Sequence, residues 1–223
     1  MNENTKHQGM AIASLVLGIF SMICFGIITG IPAIILGHVA FNRTRKKPEQ
    51  YQGKGLAITG FVMGYISIFT TLILAGLLLP ALAQAKGKAQ SIMCVNNMKQ
   101  MGLAFRVYAS NHGDRFPFNV PTSEGGIMDA SAAGDDGFVQ DPARFFQSLS
   151  NELATPQILV CPADRSKRPT KDFQNLQAAN VSYQLRTGTN ISEANPQEVL
   201  ARCPIHGNEV LCDGSVQQGR RRR

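Results

Sequence analysis

Between Lys6 and Arg43 the chain carries no Lys, Arg, Asp or Glu for 36 residues, and between Lys54 and Lys86 none for 31. About 20 apolar residues in a helix cross a bilayer core. Two uncharged stretches of this length exclude a wholly soluble chain and predict a membrane-embedded N-terminal part. Charged residues make up only 17 % of the sequence, against about a quarter in soluble domains, and the shortage sits in these two segments. The 138 residues from Lys86 to Arg223 can bury one modest core. The expected organisation is therefore a two-span membrane domain at 1–78, with a basic loop at 42–54, followed by a second domain at 79–223.

The net charge of +7 has a local origin. Arg43, Arg45, Lys46, Lys47 and Lys54 meet only Glu49 in the inter-span loop, and Arg220 to Arg223 form a second cluster. The remainder is close to neutral. A nucleic-acid groove needs cations spread over a folded face and interleaved with aromatics, so nucleic acid is not an expected partner. The loop cations instead set orientation, because Lys and Arg are retained on the cytoplasmic side. The second span then leads outward, and the chain from Lys86 on lies outside the cytoplasm. The apolar start lacks the basic leader and small-x-small site of a cleavable signal peptide.

The first apolar stretch, Met10 to Phe41, contains Gly30-Ile31-Pro32. Proline removes a backbone donor and clashes with the preceding turn, which predicts a helix break there. Met10 to Thr29 spans alone, while Pro32 to Phe41, about 15 Å of helix, either lies in the interface or turns back as a half-helix. Gly55 to Ala85 is the second span. The two repeat at an offset of 46: Gly9, Ala11, Ile12, Val16, Gly18 and Ser21 match Gly55, Ala57, Ile58, Val62, Gly64 and Ser67. Small residues let helices approach closely in lipid, so Gly18 and Gly64 are expected packing positions and a route to self-association. This repeat, with Gly30-Ile31-Pro32-Ala33-Ile34-Ile35-Leu36-Gly37-His38 and the basic loop, resembles a small membrane domain of unknown function found at the N-termini of many bacterial proteins. The resemblance covers Met10 to Leu74 and implies no activity; His38 reads as structural.

Beyond Pro80 the pattern stays helical and becomes amphipathic: Ile92, Val95, Met98, Gly102, Phe105 and Ala109 recur every three or four residues. Asn111-His112-Gly113-Asp114 and Pro117 supply the stop. Gly55 to Ser110 is expected as one helix of about 55 residues and about 80 Å, bent at Pro80. The run Leu79-Pro80-Ala81-Leu82-Ala83-Gln84-Ala85-Lys86, with Cys94-Val95-Asn96-Asn97-Met98-Lys99-Gln100 and Arg115-Phe116-Pro117, resembles bacterial pseudopilins of type II secretion and type IV pilin-like systems. Ile158-Leu159-Val160-Cys161-Pro162-Ala163-Asp164, Val181-Ser182-Tyr183 and His206-Gly207 leading to Asp213-Gly214 are similar to the same proteins. The resemblance implies an α+β fold in which a long bent N-terminal helix packs on a small antiparallel sheet. It also implies a cleavage junction with Glu five residues on. After Lys54-Gly55 that position is Gly60, and after Gly76 it is Ala81. The departure points to a membrane-retained, pilin-shaped module rather than a filament subunit.

Within the second domain, Asn119 to Asp141 reads as a loop, Asp141-Pro142 opens a helix to Leu153, and Ile158–Cys161 and Asn180–Arg186 read as strands. Asp213-Gly214 is the signature of a two-residue hairpin turn, with both turn positions at positive φ. Cys94, Cys161, Cys203 and Cys212 lie in the exported part, where disulfides form. The favoured pair is Cys203–Cys212. An alternative is zinc on Cys161, Cys203, His206 and Cys212, with a single Cys-x-x-His pair; Asp135, Asp136 and Asp213 are a weaker calcium set. A Cys203, His206 and Cys212 thiol–imidazole constellation would make an enzyme, but no catalytic motif accompanies it. The expected protein is non-enzymatic and without cofactor. It sits in the bacterial inner membrane with its C-terminal domain outside the cytoplasm, in a structural or interaction role linked to a type II secretion or type IV pilus-like assembly. Its partners are the bilayer, pseudopilin or secretion components and itself. The alternatives are a membrane-anchored sensor or ligand-binding module, and the Cys/His enzyme or zinc domain.

Overall fold

A computed structural model describes residues 9–20, 26–47, 51, 53–128 and 137–219. The chain divides into two compact units, Met1–Ala83 and Gln84–Arg223, against the 78/79 boundary expected from the sequence.

In the first unit, α1 (Gly9–Phe20) and α2 (Gly26–Lys46) precede α3 (Lys54–Asn111), whose residues up to Ala83 belong here. The expected break at Gly30-Ile31-Pro32 does not occur: α2 runs through Pro32. Packing outweighs the cost of the proline, because Ala33 is fully buried and Gly30 and Gly37 meet α3. Because Ser14 of α1 meets Ala33 of α2 and Ala11 clusters with Ala40, the chain doubles back and Met10 to Thr29 is not one span. With 12 residues, α1 is about 18 Å long, and it packs antiparallel to α2. The Ser14 hydroxyl donates to the Ala33 carbonyl at 3.0 Å, and Ala11 shares a buried cluster with Ala40 and Ala57.

The glycine positions explain the closeness of α3. A Cβ on Gly18 would stand 2.9 Å from the Gly60 carbonyl oxygen, and one on Gly64 2.8 Å from Ile34 Cγ1 and 3.0 Å from the Gly30 carbonyl oxygen. Ser14 and Gly60, equivalent positions of the 46-residue repeat, touch each other. His38 lies on α2, its Nδ1 3.1 Å from the Ile34 carbonyl and its ring 4.7 Å from that of Phe61. Among the described residues, α3 is the one helix long and apolar enough to cross a membrane. Phe69, Leu77, Leu79 and Leu82 are each about two-thirds exposed, an apolar surface that needs lipid or protein to cover it.

In the second unit, the C-terminal part of α3 packs on a four-stranded antiparallel sheet in the order β1 (Gln184–Leu185), β2 (Val199–Arg202), β3 (Glu209–Leu211), β4 (Val216–Gln217). A bulge shifts the β2–β3 register between Val199 and Ala201. The helix lies against the β3–β4 hairpin at Gly102, where a Cβ would stand 2.8 Å from Val210 Cγ2 and 2.9 Å from Gly214 Cα. Phe105 packs edge-on to Phe116 (5.5 Å between centroids) and Phe146 (6.1 Å). These rings draw the chain after α3 and the short helix α4 (Ala143–Ser148) into one core with Leu185, Leu200 and Val210.

Several local expectations are corrected. Ile158–Cys161 is not a strand: Thr155 caps a 3₁₀ turn at Pro156–Leu159 through its hydroxyl, and proline pre-sets the first φ. The Asp141-Pro142 helix ends at Ser148 rather than Leu153, with the Asp141 carboxylate accepting from the Ala143 N–H at 3.0 Å. Asn180–Arg186 supplies only the two residues of β1. Asp213-Gly214 does turn the chain, but in a three-residue loop. The Leu211 N–H donates to the Ser215 carbonyl, the Gly214 N–H to the Leu211 carbonyl, and Gly214 alone has positive φ, at 78°. Ile92 is exposed, whereas Cys94, Met101 and Tyr108 join Met98 and Phe105 on the buried face of α3.

Candidate functional site

Three segments distant in sequence deliver side chains to one place beside the end of β2. Cys94 projects from α3 into the core. Cys161 follows the 3₁₀ turn Pro156–Leu159, and Gln90 and Asn97 of α3 hold that segment by donating to the Pro162 and Val160 carbonyls at 3.1 and 3.4 Å. Cys203 directly follows β2, and His206 sits in the β2–β3 connection that the Cys203 N–H closes onto the Asn208 carbonyl. The donor atoms of Cys94, Cys161, Cys203 and His206 all lie within 4.8 Å of one another. His206 Nδ1 is 3.3 Å from Cys161 Sγ and 3.9 Å from Cys203 Sγ. The three cysteines are fully buried and His206 is half-buried.

Each sulfur also has a hydrogen-bond donor outside the cluster. The His206 N–H points to Cys203 Sγ at 3.5 Å, the Ala163 N–H to Cys161 Sγ, and the Tyr183 hydroxyl to Cys94 Sγ at 3.8 Å. Within the trio, Cys203 is held far below the ordinary thiol range, chiefly by hydrogen bonds from the Cys161 and Cys94 thiols and then by the His206 and Ile205 N–H groups, against the effect of burial. Cys161 is pushed up by its hydrogen bonds to Cys203 and then to Cys94, and by burial.

Cys212 takes no part. None of the second unit's four cysteines is joined in a disulfide, and the favoured Cys203–Cys212 pair is not formed. The Cys203 N–H bonds Asn208 at one end of the β2–β3 ladder and the Cys212 N–H bonds the Glu198 carbonyl at the other. Five residues of strand separate those ends by about 15 Å, whereas bridged cysteines need Cα atoms within about 7 Å. The same separation removes Cys212 from the expected zinc set and disperses the Cys203, His206 and Cys212 constellation. Burial, then Glu198, pushes the Cys212 thiol up to about 11. Cys94 is the member that spacing could not reveal. Its signal was a polarisable residue on the buried helix face, flanked on that face by Gln90 and Asn97. Of the weaker calcium set, Asp135 and Asp136 lie outside the described residues, and the Asp213 carboxylate accepts from the Ser215 N–H at 2.8 Å.

Asp164 fixes the Cys161 segment from the other side. Its carboxylate accepts from the Ser166 hydroxyl (2.7 Å) and N–H (2.9 Å), the Lys167 N–H (3.3 Å) and the Ser182 hydroxyl (2.8 Å). Burial alone would raise its pKa, but these bonds hold it below the ordinary carboxylate value. The stabilisation is therefore present above the unfolded-state pKa and lost as pH falls through the lower folded value. Asp164→Asn is expected to cost about 1–2 kcal/mol at neutral pH. The gap between the thermal midpoints of the two proteins, measured from pH 7 down to pH 3, should close on the acid side. A gap constant with pH would contradict this role.

Residues 10–74 match the model of a domain of unknown function, DUF4190. The first unit carries a DUF4190 domain. The match covers the segment for which the sequence resemblance to an unknown-function membrane domain was drawn. No curated protein and no solved structure matches the chain, and the pilin-like resemblance of the second unit has no counterpart in these comparisons. At the end of α2, the DUF4190 domain forms an open pocket of about 360 Å³ lined by Val39, Asn42, Arg43, Lys46, Lys47 and Tyr51. The thiol–imidazole cluster lies outside the DUF4190 domain, in the second unit.

Proposed function

We propose that the chain is a non-enzymatic, membrane-retained interaction protein. Its DUF4190 domain anchors it in a bacterial inner membrane, and its pseudopilin-like second unit works outside the cytoplasm, in or beside a type II secretion or type IV pilus-like assembly. The observation that carries this reading is a group of exposed apolar side chains on the outer side of α3. Ile92, Met93, Leu103 and Val107 are 42–60 % exposed. At 100° per residue they fall on one side of the helix, opposite the side formed by Cys94, Met98, Met101, Phe105 and Ala109 in the core. Exposed apolar side chains interspersed with Asn96, Lys99, Gln100 and Ser110 make this outer side a mixed surface suited to packing against another chain. The apolar α3 segment before Ala83 and the cations of the 42–54 loop support the membrane placement.

A photo-crosslinking residue in place of Leu103, in native membranes, tests this reading, with Arg165 as the control position. The expected result is a discrete protein adduct from position 103 and none from 165, with the unlinked chain keeping its full mass near 24.2 kDa. Lipid-only or absent adducts would overturn the interaction role. A mass beginning at Leu56 would make the protein a processed subunit despite Gly60. A second reading, a ligand-binding module, is favoured by an open groove of about 750 Å³ whose lining includes Asp164, Lys167, Ser182 and Gln184.

A further inference from the structure

We infer that Cys94, Cys161, Cys203 and His206 form a structural zinc site that fastens α3 to the Cys161 loop and to the β2–β3 connection. Three sulfurs and one imidazole nitrogen are a closed tetrahedral zinc donor set. With Zn–S near 2.3 Å and Zn–N near 2.0 Å, a regular tetrahedron has edges of about 3.5–3.8 Å. The 3.3 and 3.9 Å sulfur–nitrogen separations straddle that range, and the 4.8 Å upper bound on all donor pairs leaves only a small contraction.

The surroundings point the same way. A zinc-bound sulfur is a thiolate, and its outer hydrogen bonds orient it and offset its charge. Here the His206, Ile205 and Ala163 N–H groups and the Tyr183 hydroxyl serve the three sulfurs. Both loop cysteines precede proline, in Cys161-Pro162 and Cys203-Pro204, and the chain then turns so that its next N–H groups face back to the sulfur.

Other uses of the cluster fit less well. A disulfide between two of the sulfurs would strand the third beside the imidazole. A nucleophilic thiol needs access for its substrate, and all three are fully buried. Iron–sulfur clusters are commonly held by four thiolates, or in Rieske centres by two thiolates and two imidazoles, whereas three thiolates with one imidazole are a common structural zinc set. Binding involves no redox change: Zn²⁺ replaces the thiol protons, which leave to solvent, and the metal's binding free energy becomes folding free energy. The ligands span 67 residues from Cys94 to Cys161 and 42 more to Cys203, so one ion closes two long loops in a unit whose sheet strands are two to four residues long. The site stands or falls independently of the anchored-module reading.

The test uses the full chain purified in detergent. Metal content is measured by elemental mass spectrometry, and cysteine state by alkylation and peptide mapping without reduction. The expected result is one zinc per chain, with Cys94, Cys161 and Cys203 protected from alkylation until a chelator and denaturant release the metal. Cys212→Ser should keep the full zinc content and Cys94→Ser should lose it. Should Cys94→Ser fail to fold, His206→Cys gives the decision. It should retain one metal per chain, and its cobalt-substituted form should gain sulfur-to-cobalt charge-transfer absorption over the cobalt form of the parent protein. A disulfide joining any two of the three cysteines overturns the site. So does a folded chain that takes up no zinc after chelation, reduction and readdition, or equal zinc loss in Cys212→Ser.

Discussion

Phe105→Ala is expected to lower the stability of the second unit by about 3–5 kcal/mol. The ring is 1 % exposed and stands 5.5 to 6.2 Å from the rings of Phe116, Phe118 and Phe146. It joins the helix to the segment that follows it and to α4. Truncation removes the transfer free energy of the ring and leaves a cavity that three elements held by short turns cannot easily collapse into. Against a total stability of about 5–15 kcal/mol for a typical domain, such a loss would bring the unit close to unfolding at growth temperature. Near-ultraviolet circular dichroism on the full chain in detergent, reporting Tyr108 and Tyr183, measures the transition. Leu103→Ala is the control: at 60 % exposure on the same helix, it should shift stability by no more than about 0.5 kcal/mol. Equal effects would contradict the orientation of α3.

Gly60→Leu is expected to separate α1 from α3 in the first unit. A Cβ at this position meets the Ser14 hydroxyl, the Ser14 carbonyl carbon at 2.7 Å and the Leu15 nitrogen at 2.9 Å. Two of these three atoms belong to backbone, so no rotamer change relieves the clash and the helices must move apart. Helix association in lipid rests on close packing rather than on exclusion of water, so a separation of this kind removes its main source. Cysteines introduced at Ala11 and Ala57, which share one buried cluster, report the distance by oxidative cross-linking. The pair should link efficiently with Gly60 and lose most of that yield with Gly60→Leu. Gly76→Leu is the counterpart: a Cβ there meets nothing within 4 Å, and the cross-link should persist. Loss of the cross-link in both would mean that side-chain bulk anywhere on α3 disturbs the unit.

Much of what was legible in the sequence was local. The uncharged run before Lys86 and the three-to-four spacing after it specify a helix, and α3 forms from Lys54 to Asn111 with Pro80 inside it. The small residues of the 46-residue repeat mark the helix contacts, since only a missing Cβ permits those separations. Asp213-Gly214 announces a turn, although the number of residues in that turn was not legible. Hydrogen bonds of the flanking strands decide between a two- and a three-residue loop, and they chose the latter. Proline in the first apolar stretch misled for a related reason. Its cost of about 3 kcal/mol is an isolated-helix quantity, and the contacts of Gly30, Ala33 and Gly37 are tertiary.

The cysteines show where sequence stops and tertiary structure begins. Composition and the Cys203-x-x-His206 spacing identified two donors that the short connection between β2 and β3 brings together, because three residues of chain can meet only near one another. Cys161 joins them as expected, but the fourth donor of the expected set is Cys212, nine residues from Cys203 in sequence. An antiparallel ladder, however, carries residues on either side of its strands to opposite ends. Cys94, 109 residues from Cys203, arrives because the buried face of α3 packs on the sheet, and the helix register then leaves its sulfur beside the two loops. By itself, the sequence determined the apolar helix, its amphipathic continuation, the glycine contacts and the turn positions, all set by periodicity or by the absence of a side chain over a few residues. Only the packing of α3 against the sheet decided which three thiols share one imidazole, because convergence across long loops depends on how whole faces fit and not on spacing along the chain.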